Sequence, residues 1–146
     1  MLYQDLMKLK NIDLIGKTEP QVNSLRLFFE RRKVIETKEK YVIGDVSIEG
    51  YPVTTDESLP FIQIHFENYI SYSVTNESFT QWDEYEEFEG KAFRVYSKSH
   101  FLDFVQSHTF ASKDYPGPFK HYGMICIDHI VNIASTSIPI ITEVEK

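Results

Sequence analysis

The stretch His121-Tyr122-Gly123-Met124-Ile125-Cys126-Ile127-Asp128-His129-Ile130-Val131-Asn132-Ile133-Ala134 decides the architecture. Tyr122–Ile127 and Ile130–Ala134 are both rich in β-branched and aromatic residues, the composition of strands. Asp128-His129 lies between them. Both residue types tolerate positive φ, so a tight turn is predicted there. With a two-residue loop, Ile127 faces Ile130 and Ile125 faces Asn132. Tyr122, Met124, Cys126, Val131 and Ile133 then share one face, and Ile125, Ile127 and Ile130 populate the other. Both faces are largely apolar, which places the hairpin centrally in a sheet covered on both sides.

Working outward from this hairpin, Pro139 and Ile140-Ile141 predict a closing strand or tail. Upstream, Asp114-Tyr115-Pro116-Gly117-Pro118 reads as a loop. Ser99 is placed to cap a helix whose apolar face is Phe101, Leu102, Phe104 and Val105, with Asp103 outward. Ile62, Ile64 and Phe66 alternate with Gln63, His65 and Glu67. Ile70, Tyr72 and Val74 alternate with Ser71, Ser73 and Thr75. With a turn at Glu67-Asn68 the two runs predict a second hairpin. Val42, Val46 and Ile48 are expected on one strand face that ends at Gly50-Tyr51-Pro52. Leu25, Leu27 and Phe29 alternate as a strand. Leu2, Leu6, Leu9 and Ile12 recur at helical spacing, with Gly16 placed to close a helix. The expected fold is α+β: one domain over residues 1–146, with a curved, mainly antiparallel sheet of about six strands and two or three short helices.

The net charge of −7 is unevenly spread. Residues 1–40 carry +3 and residues 91–146 carry +1. Tyr41–Gly90 holds eleven acids and no Lys or Arg. No nucleic-acid partner is expected on this balance, because phosphates need a basic face. A basic partner protein suits it, as does simple solvation of the acids. One cysteine permits no intrachain disulfide, which fits a reducing compartment. MLYQDLMKLK has no apolar segment of the kind a secretory signal uses, and no apolar run approaches the roughly 20 residues of a membrane helix. The sequence therefore reads as cytoplasmic, with no membrane contact.

The chemistry-bearing residues form no local motif. His100 and His108, and His121 and His129, are each eight apart. That spacing spans roughly 26 Å in a strand and roughly 12 Å in a helix, too far to chelate one ion locally. No metal and no cofactor is expected. Cys126 lies among Met124, Val131 and Ile133, where a buried, inert thiol is expected. There is no GxSxG elbow and no glycine-rich phosphate loop.

Ser78–Gly90, SFTQWDEYEEFEG, carries conflicting local signals. Ser78 with Gln81 has the pattern of a capping box. Phe79, Trp82, Tyr85 and Phe88 recur every three residues, so their stripe sweeps around a helix. Glu86, Glu87 and Glu89 would crowd a helix C-terminus, where the macrodipole disfavours anions. One reading is a partner-docking patch of Trp82, Asp83, Glu84, Tyr85, Glu86 and Glu87. The other, which such spacing favours, is a covering segment whose aromatics enter the core. An alternative site is a pocket in the curved sheet using His65, Tyr96 and His121.

Tyr96-Ser97-Lys98-Ser99-His100-Phe101-Leu102-Asp103-Phe104, together with His121-Tyr122 and Asp128-His129-Ile130-Val131-Asn132, resembles a group of short uncharacterised single-domain proteins of bacilli. That resemblance implies no activity and no catalytic residue. The expected function is a non-catalytic protein-binding module that docks a basic partner, of the immunity-protein type. The alternative is a small-ligand-binding domain or enzyme with a pocket in the sheet. A third reading is oligomerisation through an exposed edge at Leu25–Lys33.

Overall fold

A computed structural model describes all 146 residues. The chain runs through α1 (Tyr3–Leu6), β1 (Ile12–Thr18), β2 (Leu25–Val34), β3 (Glu39–Ile43), β4 (Val46–Gly50), β5 (Val53–Thr55), β6 (Phe61–Phe66) and β7 (Ser71–Asn76). A 3-10 turn at Glu77–Phe79 precedes β8 (Glu87–Gly90), β9 (Phe93–Lys98), α2 (His100–His108), β10 (Lys120–Ile125), β11 (His129–Ser135) and β12 (Ile140–Val144).

The strands do not form one curved sheet. The first sheet has the order β1-β2-β6-β12, with β5 paired to β2. The second is β7-β11-β10-β9-β8, and β3-β4 stands apart as a two-stranded ribbon. All strand pairs are antiparallel. The two five-stranded sheets share one core. Leu25, Leu27, Phe29, Ile62, Ile64 and Phe66 enter it from the first sheet. Phe93, Tyr122, Met124, Val131 and Ile133 enter it from the second. Phe29 meets Phe93 edge-on at 5.3 Å, and Phe66 meets Tyr122 at 5.2 Å. An alternating strand has one apolar face, and two such faces close on each other because each buries the other's area.

The central hairpin forms with the predicted core face: Tyr122, Met124, Cys126, Val131 and Ile133 are all buried. Its register differs by two. Ile125 pairs Ile130 and Gly123 pairs Asn132. The turn centres on Ile127-Asp128, closed by the Cys126 amide donating to the His129 carbonyl at 2.8 Å. The Ile127 amide donates instead to the Ile12 carbonyl at 3.0 Å, so it is lost to the hairpin ladder. A shift of two leaves every side chain on its predicted face.

Four other expectations are corrected. The N-terminal helix is a single turn, because Ile12–Leu14 ladders onto Phe29–Arg31 and Gly16 lies in β1 beside a register shift. Tyr3 anchors that turn by donating its hydroxyl to the Arg94 and Gly123 carbonyls. Val42 does not share a face with Val46 and Ile48. Gly44, at φ 60°, folds the segment back so that Tyr41 faces Ile48 and Ile43 faces Val46. β6 and β7 do not pair: β6 lies between β2 and β12, and β7 joins β11. The basic strand Leu25–Lys33 is no free edge, since β2 is flanked by β1 on one side and by β5 and β6 on the other.

The predicted α2 forms as expected. The Ser99 side chain accepts the Leu102 amide, and Val105 is buried beneath the helix. No helix is long and apolar enough to cross a membrane.

Candidate functional site

The site lies on the outer face of the second sheet. In β10, Tyr122 and Met124 point into the core, so His121 and Gly123 point outward. Tyr96 stands opposite His121, and Asn132 stands opposite Gly123. Gly123 has no side chain, and Tyr96 lies over it: a Cβ there would meet Tyr96 Cε2 at 2.4 Å. The tyrosine ring therefore stacks flat on the His121 ring, 4.2 Å away and 13° from parallel. Phe101 from α2 closes on the imidazole at 4.9 Å.

His121 is 1% exposed and both ring nitrogens are engaged. Nε2 lies 2.7 Å from Asn132 Oδ1, an acceptor, so the proton is assigned to Nε2. Nδ1 then accepts from the Ser99 hydroxyl at 2.7 Å. The same Ser99 oxygen accepts the Leu102 amide at 3.0 Å. Burial holds the imidazole neutral, its pKa lowered to about 4.

Ser99, His121 and Asn132 bring together the residue types of a hydrolytic triad. Their arrangement performs a different task. Ser99 is fully buried and its oxygen is occupied on both sides, by the helix cap and by the imidazole. A nucleophile needs an open approach, which a fully buried hydroxyl lacks. This trio instead locks the start of α2 onto the sheet.

The Tyr96–His121 stack separates two concavities. One, of about 540 Å³, lies under α2 and is lined by Leu102, Gln106, Lys113, Phe119 and Lys120. The other, of about 390 Å³, is a groove with Ile125, Ile130 and Asn132 on the sheet side. Its opposite walls are Phe79, Trp82, Glu86 and Phe101.

The segment Thr80–Glu87 forms a lip over this second groove. It is neither helix nor strand up to Glu86, and β8 begins at its last residue, Glu87. The Ser78 capping pattern is not used; Asn76 caps the 3-10 turn by accepting the Ser78 amide. The lip is tied to α2. His100 Nε2 lies 2.7 Å from Asp83 Oδ2, and Glu86 Oε2 accepts the His100 amide at 3.2 Å. Tyr85 stacks on the His100 ring at 4.6 Å and donates to Asp103. The hydrogen bond with Asp83 raises the pKa of His100 and lowers that of Asp83. Two cations of the second sheet sit on aromatics of the lip and of β8. Lys98 Nζ is 4.4 Å from the Tyr85 centroid. Arg94 Cζ is 3.9 Å from the Phe88 centroid and 5.8 Å from that of Trp82.

The aromatics of this segment do not enter the core. Phe79 is 79% exposed, Trp82 56% and Phe88 43%. Asp83, Glu84 and Glu87 are exposed beside them, while Tyr85 and Glu86 are half-buried against α2. The structure thus gathers Trp82, Asp83, Glu84, Tyr85, Glu86 and Glu87 into one surface feature. Tyr96 and His121 meet directly, but His65 does not join them. It lies on the outer face of the first sheet, accepting from Arg26 Nε at 3.4 Å.

Three contributors went unread in the sequence: Arg94, His100 and Asn132. Asn132 carried a signal, being a lone polar residue between Val131 and Ile133. His100 directly follows the predicted cap Ser99. Nothing local pointed to Arg94. The histidines stay dispersed, and no three His, Cys, Asp or Glu side chains converge to hold a metal ion. Cys126 is buried, and burial pushes its thiol up to about 12. No family model, curated protein or solved structure matches the chain.

Proposed function

We propose that this protein is a non-catalytic cytoplasmic binding module that docks a basic protein through the lip at Trp82–Glu87, in the manner of an immunity protein. One observation carries the reading. Large aromatics are left in water beside a dense group of carboxylates, within a stretch of eleven acids and no bases. Exposed aromatic anchors ringed by charge are the composition of binding hot spots, where the ring supplies area and the charge supplies steering. The ties from Tyr85, Asp83 and Glu86 to α2 support it further, because an anchored lip loses little entropy on docking.

The test is recovery of a partner from a lysate of the source organism, with Glu84→Lys and Glu87→Lys together as the comparison. Both residues are exposed, and their replacement leaves the α2 ties intact. Recovery should fall at least about tenfold in the variant, and fall in wild type as salt rises. Equal recovery from both proteins overturns the reading.

The concavity of about 540 Å³ favours a second reading, a small-ligand pocket. A thermal-shift screen separates the two, since a ligand at 100 times its Kd adds about 2.7 kcal/mol of stability.

A further inference from the structure

We infer that the groove beside the lip is the seat for one arginine side chain of the basic partner; the inference rests on the docking reading above. Three features of the groove select this occupant.

The first is its surface. Ile125 and Ile130 offer an aliphatic floor, and Phe79, Trp82 and Phe101 offer aromatic walls. A long side chain with an apolar stem and a charged head matches that gradient. The volume, about 390 Å³, lies at the small end of the range for ligand sites, as suits one side chain with its flanking backbone.

The second is charge. Glu86 is the one carboxylate in the lining. Its Oε2 is held by the His100 amide, and its Oε1 has no partner within the fold. The carboxylate is therefore already oriented, with one oxygen free to accept. The imidazole of His100 is turned to Asp83 and does not compete for it. Around it, Asp83, Glu84 and Glu87 together with Glu86 outnumber the nearby cations Arg94 and Lys98, so the surface favours a cationic occupant over an anionic one.

The third is a precedent inside the molecule. The guanidinium of Arg94 already lies on Phe88 and approaches Trp82. A guanidinium is thus already carried on Phe88 beside the groove, with Trp82 of the groove wall 5.8 Å from it. Arginine is preferred over lysine because a planar guanidinium stacks flat on an indole while its edge donates to the free Glu86 oxygen, whereas a compact, strongly hydrated ammonium has no plane to stack.

The protein supplies its own reporter, since Trp82 is its one tryptophan and lines the groove. The intact chain is titrated, by Trp82 emission at low salt, with blocked pentapeptides Gly-Gly-X-Gly-Gly. X is arginine, lysine, citrulline or phenylalanine. The arginine peptide should give a saturable change in the millimolar range, with citrulline at least about tenfold weaker and lysine several-fold weaker. Thr75→Phe fills the groove from an exposed position on β7, and Glu86→Gln removes the carboxylate charge. Each should weaken the arginine peptide about tenfold, with urea midpoints confirming that both variants fold. No saturable response up to tens of millimolar overturns the seat, as does a response to citrulline, lysine or phenylalanine equal to that of arginine. The two readings fail separately. Loss of partner recovery in the Glu84→Lys, Glu87→Lys protein with no arginine response leaves docking standing and removes the seat. An arginine response blocked by Thr75→Phe, with partner recovery unaffected by those lysines, keeps the seat and removes docking through the lip.

Discussion

Replacing Ser99 by alanine deletes one oxygen and breaks two hydrogen bonds at once. The Leu102 amide loses its cap at 3.0 Å, and His121 Nδ1 loses its donor at 2.7 Å. A lost N-cap costs about 1 kcal/mol. The imidazole nitrogen is then a buried acceptor without a partner, in a side chain 1% exposed, and such a group costs about 1–3 kcal/mol. The expected loss is about 2–4 kcal/mol, a large part of the roughly 5–15 kcal/mol that holds a typical domain. Urea unfolding with unchanged slope measures it. At a slope of about 1.5 kcal/mol per molar, the midpoint falls by about 1.3–2.7 M. Ser99→Thr keeps the oxygen and should recover most of the loss. A double cycle with Asn132→Ala should be strongly non-additive, because both residues act on the same ring. A loss near 1 kcal/mol, additive with Asn132→Ala, would reduce Ser99 to a helix cap and refute the lock between α2 and the sheet.

Gly123→Ala should cost about 1–3 kcal/mol, since its Cβ would sit 2.4 Å from Tyr96 Cε2 and push that ring off His121; Tyr96→Ala in the same chain should relieve most of it. The two site histidines should titrate on opposite sides of 6.5 in a proton NMR titration. His121, neutral down to about 4, adds stability present above 6.5 and lost as pH falls from there towards 4, on the order of 3 kcal/mol in all. His100, raised by Asp83, adds stability present below 6.5 that disappears as pH rises through its folded value. An ordinary pKa for His121 would contradict its burial. Cys126, its thiol pushed up to about 12, should resist a thiol reagent at pH 8 in the folded protein and react at once in urea.

The alternation of Leu25–Phe29, of Ile62–Phe66 and of the Tyr122–Ala134 hairpin was legible because inward positions repeat every second residue, whatever the strand's neighbours are. The cap at Ser99 was legible for a similarly local reason. The pairing of strands was not. Phe61–Phe66 and Ser71–Asn76 look like two arms of a hairpin, yet each finds its partners far along the chain, in β2, β12 and β11. The same override shortened the first helix, where ladder bonds to Phe29–Arg31 outweigh a weak helical pattern.

By itself, the sequence determined the inward faces of Leu25–Phe29, Ile62–Phe66 and the Tyr122–Ala134 hairpin, where α2 begins, and that the excess acid lies between Tyr41 and Gly90. Those are properties of a residue and its near neighbours. Only the tertiary structure decided that the strands divide into two five-stranded sheets and a separate two-stranded ribbon. It alone brought Ser99, His121 and Asn132 onto one imidazole and parted His65 from that ring. It also left Phe79 and Trp82 in water, where local spacing had favoured the core. The core has room for one apolar face from each sheet, and those faces are filled by strands brought together from distant parts of the chain. A segment that follows the last turn of its strand, with no face left to join, stays outside and becomes surface.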